Sequence, residues 1–137
     1  MEKKKIKCFL GGTCGKSKWR ENLISKLKID YFNPVVNDWN EEAYQKEIYE
    51  REHCDYVLYV ITPRMDGVYS IAEVVDDSNK RPQKTIFCII QKEEDEFYAG
   101  VFNESKMKSL NAVGRMVQRN GAKWFNSLDE VAEYLNG

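Results

Sequence analysis

The sequence of 137 residues has no apolar stretch approaching the roughly 20 residues of a membrane span, and its start lacks the apolar core of a signal peptide. A cytosolic, cytoplasmic chain is the expectation. It has one histidine, His53, with no cysteine or second histidine at metal-ligand spacing, which argues against a metal site and against a Ser-His-Asp triad. The four cysteines, Cys8, Cys14, Cys54 and Cys88, form no CxxC pair, and three sit in or beside apolar segments, so buried free thiols are expected. Surplus charge is absent too. With 21 basic residues against 22 acidic ones, no field favours a nucleic acid polymer or an acidic membrane surface, and Lys3-Lys4-Lys5 reads as a solvated terminus. Aromatic residues do not interleave with basic ones in the manner of an RNA surface. Small neutral or singly charged ligands fit this balance better. Repeats, linkers and low-complexity segments are missing as well, and the length suits one domain over 1–137 that folds without metal or disulfide.

What is present is organised around Cys54 to Glu73. An unbroken apolar run from Tyr56 to Ile61 stops at Thr62-Pro63, passes a polar turn at Asp66-Gly67 and resumes with helical spacing at Ile71, Val74 and Val75. Apolar residues without alternation suit a parallel strand covered on both faces. Ligands in such sheets bind outside the carboxyl ends of the strands, which is where Asp66 and Glu73 fall.

The flanking chain repeats this pattern. Ile6 to Leu10 predicts a strand running into Gly11-Gly12-Thr13 and a helix with Leu23, Ile24 and Leu27. Tyr31 to Val36 predicts a second strand, broken by Asn33-Pro34 and so at an edge. Asp38-Trp-Asn-Glu41 resembles a capping box opening a charged helix to about Glu52. After the central strand, the helix carrying Glu73 fades at Asn79-Lys-Arg-Pro82, and Thr85 to Ile90 is a fourth strand. Gln91 to Asn103 has no clear period and is taken as a surface loop. Met107, Leu110, Val113 and Val117 predict a fourth helix ending near Gly121, followed by a strand at Lys123 to Phe125. Ser127-Leu-Asp-Glu130 then caps a last helix with Leu128, Val131, Ala132 and Leu135 on one face. This alternation predicts an α/β, flavodoxin-like three-layer sandwich with a five-stranded parallel sheet in order 2-1-3-4-5. In that order the Gly11 turn faces the segment from Asp66 to Glu73.

Gly11-Gly-Thr-Cys-Gly-Lys-Ser17 fails the phosphate-loop spacing by one residue, Leu10 standing where GxxxxGK needs its first glycine. No strand ends in an aspartate for magnesium. The spacing fits a glycine turn that admits a ligand and equally a tight turn without one. Glu73 lies in the first turns of its helix, where the macrodipole keeps a carboxylate ionised, and could serve as a nucleophile toward a sugar carbon; a solvated helix residue fits the spacing as well. Asp55 reads as an end of the preceding helix, and most of Glu47, Glu50 and Glu52 as surface. Trp19, Trp39 and Tyr69 suit either stacking on a base or the core.

Phe9-Leu-Gly-Gly-Thr13, Trp19-Arg20, Tyr31-Phe-Asn-Pro34, Glu47-Ile48 ahead of Cys54-Asp55, and Gly67-Val-Tyr-Ser-Ile-Ala-Glu73 follow in order over roughly Ile6 to Ile90. Together they resemble the nucleoside 2-deoxyribosyltransferase superfamily, in particular its small nucleoside 2-deoxyribosyltransferase-like domain. The resemblance implies cleavage of the N-glycosidic bond of a 2'-deoxynucleoside or deoxynucleotide, with a free base or water as acceptor, no cofactor and a homo-oligomer. Glu73 matches the glutamate that attacks the anomeric carbon, and Glu47 falls near the acid that protonates the departing base. Asp66 falls in the loop where some members bind the deoxyribose hydroxyl. Gly11, Gly12 and Thr13 match the pocket loop, Asn33 and Pro34 the second strand's end, and Trp19, Gly67 and Tyr69 join them as substrate-binding residues. The chain departs from the family in following Glu73 with Val74-Val75 instead of a small residue and glycine, and in carrying glutamate for aspartate at 47, with Glu50 one helical turn away as a competitor. Lys16, Lys18 and Arg20 suit a 5'-phosphate or a solvated helix start. A nucleotide-binding module without turnover, and an interaction domain using the helix of Asp38 to Glu52, are the other readings.

Overall fold

The computed structural model describes residues 5–137; Lys3 and Lys4 of the basic run lie outside them, and Lys5 is exposed, 3.3 Å from Asp30. Along the chain come β1 (Lys7–Gly12), α1 (Trp19–Ile24), β2 (Asp30–Phe32), α2 (Glu41–His53), β3 (Tyr56–Ile61), α3 (Tyr69–Lys80), β4 (Thr85–Ile89), β5 (Lys92–Asp95), β6 (Tyr98–Val101), α4 (Glu104–Arg119), β7 (Lys123–Phe125) and α5 (Leu128–Asn136). Among the described residues one all-parallel sheet runs β2-β1-β3-β4-β7, the expected flavodoxin-like order with β7 as its fifth strand.

The lack of alternation in β3 has a direct cause. Val57, Tyr59 and Ile61 join Phe9, Phe87 and Ile89 against Val74 of α3 and Leu110 and Val117 of α4. Leu58 and Val60 join Cys8, Leu10, Ile86 and Cys88 against Trp19 and Leu23 of α1 and Val131, Ala132 and Leu135 of α5. Each valine, leucine, isoleucine or phenylalanine among them contributes about 1.5–3 kcal/mol when fully buried, so the strand buried on both faces is the axis of the core. Cys8, Cys54 and Cys88 are buried free thiols; Cys14 is exposed.

Four local expectations are corrected. β2 stops at Phe32 because Pro34 has no N–H to offer and Val35 N–H donates to Asn33 Oδ1 (3.0 Å), turning the chain off the sheet edge. α2 is capped by Asn40, whose Oδ1 accepts the Ala43 N–H (2.8 Å), and not by Asp38. Asp55 fastens two strands: Lys7 N–H donates to its Oδ2 (2.9 Å), and its own N–H donates to Lys7 O (2.8 Å). The loop expected at Gln91 to Asn103 is largely a hairpin of β5 and β6, closed where Phe97 N–H meets Asp95 Oδ1 (2.8 Å) and Phe102 N–H meets Gln91 O (2.9 Å). Its alternation is among charges: Glu93 and Asp95 are half-buried while Lys92 and Glu94 are exposed. The last helix is capped as expected, Glu130 N–H donating to Ser127 Oγ (3.2 Å).

α2 is unusual. Its one buried residue is Glu50, so ion pairs and backbone hydrogen bonds, not an apolar stripe, hold it to the molecule.

Candidate functional site

β1 ends in two glycines with different duties. Gly12 has φ 120°, and a Cβ there would lie 2.1 Å from Val60 O, so only glycine lets β1 pass this close to β3. A Cβ on Gly11 would lie 2.8 Å from the Tyr59 ring, so the bare backbone there makes room for that side chain. Thr13 then joins the two strand ends: its N–H donates to Val60 O (2.8 Å) and its Oγ1 accepts the Thr62 N–H (3.0 Å). The carbonyls of this turn face inward. Arg20, 6% exposed, donates to Leu10 O (2.9 Å) and Thr13 O (2.7 Å), and Trp19 Nε1 also donates to Thr13 O (2.8 Å). Arg20 is therefore committed to the loop and is no free phosphate ligand. On the outer side Arg64 donates to Lys16 O (2.6 Å) and lies 3.0 Å from Asp95, while the Ser17 hydroxyl donates to Glu93 (2.9 Å), so the hairpin clasps the same loop.

Between this loop and the start of α3 opens a cleft of about 130 Å³. Gly12, Thr13, Asp66, Gly67 and Tyr69 line it, joined by Cys14 and Ser70, which sequence reasoning missed. Tyr69 is 74% exposed, an aromatic face turned to solvent at the cleft's mouth. The structure does not bring every candidate there. Trp19 is 3% exposed and sits in the core beneath the loop, and Asn33 and Pro34 lie at the end of β2, outside the cleft lining.

One turn beyond Tyr69 on the same helix face stands Glu73, its side chain 12% exposed, with Oε2 3.2 Å from Arg51 Nη1. Arg51 reaches over from α2, and its Nη2 lies 3.2 Å from Oδ2 of Asp77, which is fully buried. That oxygen also accepts the Tyr59 hydroxyl (2.6 Å). Glu47, half-buried, precedes Arg51 by one turn of α2. Glu50 points elsewhere, 3.0 Å from Lys7 Nζ and accepting from the Cys54 thiol, so of the two glutamates Glu47 is the one coupled to Glu73.

Burial raises the Glu73 pKa to about 7; the Arg51 cation opposes this, and the negative charges of Glu47 and Asp77 add to it. Burial likewise raises Glu47, against the pull of Arg51 and Arg20. The expectation that the helix dipole keeps Glu73 ionised is thus outweighed. α3 begins at Tyr69, so Glu73 lies past the first turn where the dipole acts, and desolvation dominates. Arg51, Tyr59 and Asp77 carried no motif: a buried carboxylate and its cation on a second helix are visible only once α2 and α3 are packed. Among the described residues no three His, Cys, Asp or Glu side chains converge as a metal site, and no helix is long and apolar enough to cross a membrane.

A family model described as nucleoside 2-deoxyribosyltransferase like matches residues 5–93. The chain belongs to this family. A search of curated proteins found no match. The part of this nucleoside 2-deoxyribosyltransferase-like chain that the family model covers runs from the approach to β1 into the start of the hairpin. The glycine turn, Glu47, Arg51, Tyr59, Asp66, Glu73 and Asp77 all fall inside it, while β6, α4, β7 and α5 lie beyond. Of the two valines that follow Glu73, Val74 is fully buried against the sheet and Val75 is half-buried on the side of α4.

Proposed function

We propose that the chain cleaves or transfers the N-glycosidic bond of a 2'-deoxynucleoside or deoxynucleotide through a covalent deoxyribosyl-glutamate intermediate on Glu73. The observation that carries this reading is the coupled pair of carboxyls: Glu73, one turn of α3 beyond the cleft residue Tyr69 and held at one oxygen by Arg51, and Glu47, both with raised pKa. An ionised Glu73 attacks the anomeric carbon as the bond to the base breaks. The bonding pair leaves on the base nitrogen, and Glu47 supplies the proton. Deoxyribose lacks the electron-withdrawing 2'-hydroxyl, so the oxocarbenium-like transition state is easier to reach and a nearby carboxylate both stabilises and traps it. Water or a free base then attacks the same carbon, Glu47 accepts its proton and the Glu73 carboxylate is released. In this reading Asp66 binds the sugar hydroxyl, Gly67 lets the substrate approach the backbone, and Gly11, Gly12 and Thr13 form the substrate-binding turn that fixes the floor of the pocket. Tyr69 stacks on the base, Trp19 supports the loop from below, and Asn33 and Pro34 border the site from β2. A homo-oligomer acting in the cytoplasm belongs to the same reading.

The test is chromatography of the protein incubated with the four deoxynucleosides and their monophosphates, with and without a free base. Release of base establishes the chemistry, and dependence on the added base separates transferase from hydrolase. Specific binding without turnover would replace the enzyme by a nucleotide-binding module.

The pH dependence follows from the pair. Its productive form holds one proton on Glu47 with Glu73 ionised beside Arg51; this is the minor arrangement of the singly protonated pair, whose last proton rests mainly on Glu73. With the Glu73 pKa raised to about 7, the last proton leaves the pair near neutrality and not near the ordinary carboxylate value of 4.5. kcat/KM is expected to fall as pH rises through about 7, and to fall again in acid where both groups are protonated. Glu47→Gln removes the proton donor and also the charge that raises Glu73. Its rate is expected to drop about 10²- to 10⁴-fold, and its alkaline limb to disappear. A Glu47→Gln profile that keeps the wild-type alkaline limb would remove Glu47 from the role.

A further inference from the structure

The reaction as drawn leaves Arg51, Tyr59 and Asp77 without a task, yet they form one continuous chain of contacts from the core to Glu73. Asp77 Oδ2 accepts the Tyr59 hydroxyl at 2.6 Å and lies 3.2 Å from Arg51 Nη2, while Arg81 Nη1 stands 3.4 Å from its other oxygen. Tyr59 is fully buried, and its ring lies against Gly11. The guanidinium is a rigid fork: fixing Nη2 on Asp77 fixes the direction of Nη1, which stands 3.2 Å from Glu73 Oε2. The contact with Arg51 thus engages Glu73 through Oε2.

Fastening α2 to the molecule does not require this fork. Arg81 Nη1 already donates to Arg51 O (3.3 Å), and Lys84 Nζ donates to Glu52 O (2.8 Å) and Cys54 O (2.7 Å), tying down the end of the helix through its backbone. The Arg51 side chain is instead spent on two carboxylates, one in the core and one at the site.

We infer that Arg51, locked by Asp77 and Tyr59, is a positioning residue that holds Glu73 by Oε2 and leaves Oε1 to form the bond to the anomeric carbon. This rests on the reaction proposed above. As the Oε1–carbon bond forms, the bond to the base breaks with its electron pair on the base nitrogen, which takes the Glu47 proton, and Glu73 becomes a neutral ester. Asp77 then has a second duty. It remains an anionic partner for Arg51 throughout the life of the ester, so forming the intermediate does not strand a half-buried cation.

The groups facing Glu73 are Glu47 and Arg51 from α2, Asp77 from α3 and Tyr59 from β3, with Arg20 acting on Glu47. Three variants, each checked for folding by circular dichroism and melting, test the inference. Arg51→Lys keeps a cation but loses the fork: kcat is expected to fall about 10- to 100-fold with both pH limbs unmoved. Arg51→Met also removes the charge that favours ionised Glu73, so both limbs are expected to move to higher pH. Tyr59→Phe frees one side of Asp77 and is expected to lower kcat with KM held within about twofold. A merely structural role would reduce the folded fraction and leave the pH limbs in place. Wild-type kcat in Arg51→Lys, or wild-type limbs in Arg51→Met, would overturn the inference while the glycosidic reaction stood. Absence of base release by the wild-type protein from any deoxynucleoside or monophosphate would overturn the reaction itself, and the positioning role with it.

Discussion

Glu73→Gln is expected to lower turnover about 10⁴-fold or more while leaving nucleoside affinity within a few-fold, because the amide fills the same space but cannot form or release a glycosyl ester. The substitution also has a stability signature independent of substrate. In the folded protein burial raises the Glu73 pKa from 4.5 to about 7, so between those values the folded state holds a proton that the unfolded chain has lost. A raised acid of this kind makes stability decline as pH rises through that window. Glutamine has no proton to lose, so the melting temperature of Glu73→Gln is expected to fall less than that of the wild type between pH 5 and pH 8. Both outcomes are read on one preparation, by base release and by thermal unfolding. Base release persisting in the variant would exclude Glu73 as the nucleophile. Parallel stability profiles in the two proteins would mean that Glu73 is ionised across the range and that its burial is offset more fully by Arg51.

The parts of the site that the sequence made legible are those marked by backbone chemistry. Paired glycines at a strand end and an Asp-Gly turn before a helix can be placed on the sheet's carboxyl edge from order alone, and the structure puts Gly12, Thr13, Asp66, Gly67 and Tyr69 around one cleft. What stayed hidden depends on which helix faces which. Arg51 is one of several charges in a helix with no apolar stripe, and nothing in its neighbours shows that it crosses to Glu73 and Asp77 while Glu50 turns to Lys7. Asp77, four residues after Glu73, carries no motif that sets it apart from other helix acids and is fully buried because Tyr59 and two arginines surround it. Trp19 shows the converse. Its place beside a glycine loop suited either stacking on a base or the core, and its indole lies in the core with the N–H on Thr13 O.

For the fold, long apolar runs and capping boxes placed the core strands and α5 closely, because both signals are local and apolar burial dominates their energetics. The hairpin of β5 and β6 escaped because its inward face is Glu93 and Asp95, satisfied by Arg64 and Ser17 from distant segments. A strand whose buried face is charged has no hydrophobic period to detect. The same contacts make the hairpin a clasp on the loop from Thr13 to Ser17, so an element lying mostly beyond the family match bears on the geometry of the cleft.

Gly12→Ala is the substitution expected to damage the fold most per atom added. The backbone there has φ 120°, outside the range that side-chain-bearing residues adopt readily, at a cost of about 1–3 kcal/mol. The new Cβ would also lie 2.1 Å from Val60 O and 2.5 Å from Val60 N, backbone atoms of the central strand that cannot swing aside. Relief requires β1 to draw away from β3, loosening the pairing of Gly12 with Val60 and the hydrogen bond from Thr13 N–H to Val60 O. A total near 3 kcal/mol is a large share of the roughly 5–15 kcal/mol that holds an ordinary domain, and corresponds to a melting temperature lower by about 10 °C. Gly67→Ala provides the comparison, since nothing lies within 4 Å of its added methyl and its φ is not in the left-handed range. It is expected to alter stability by less than about 0.5 kcal/mol. Equal melting temperatures for the two variants would mean that β1 and β3 can separate at their carboxyl ends without cost. The floor of the cleft would then be a pliable loop, and the rigid junction that places Thr13 beside Asp66 and Tyr69 would have to come from Arg20 and the hairpin instead.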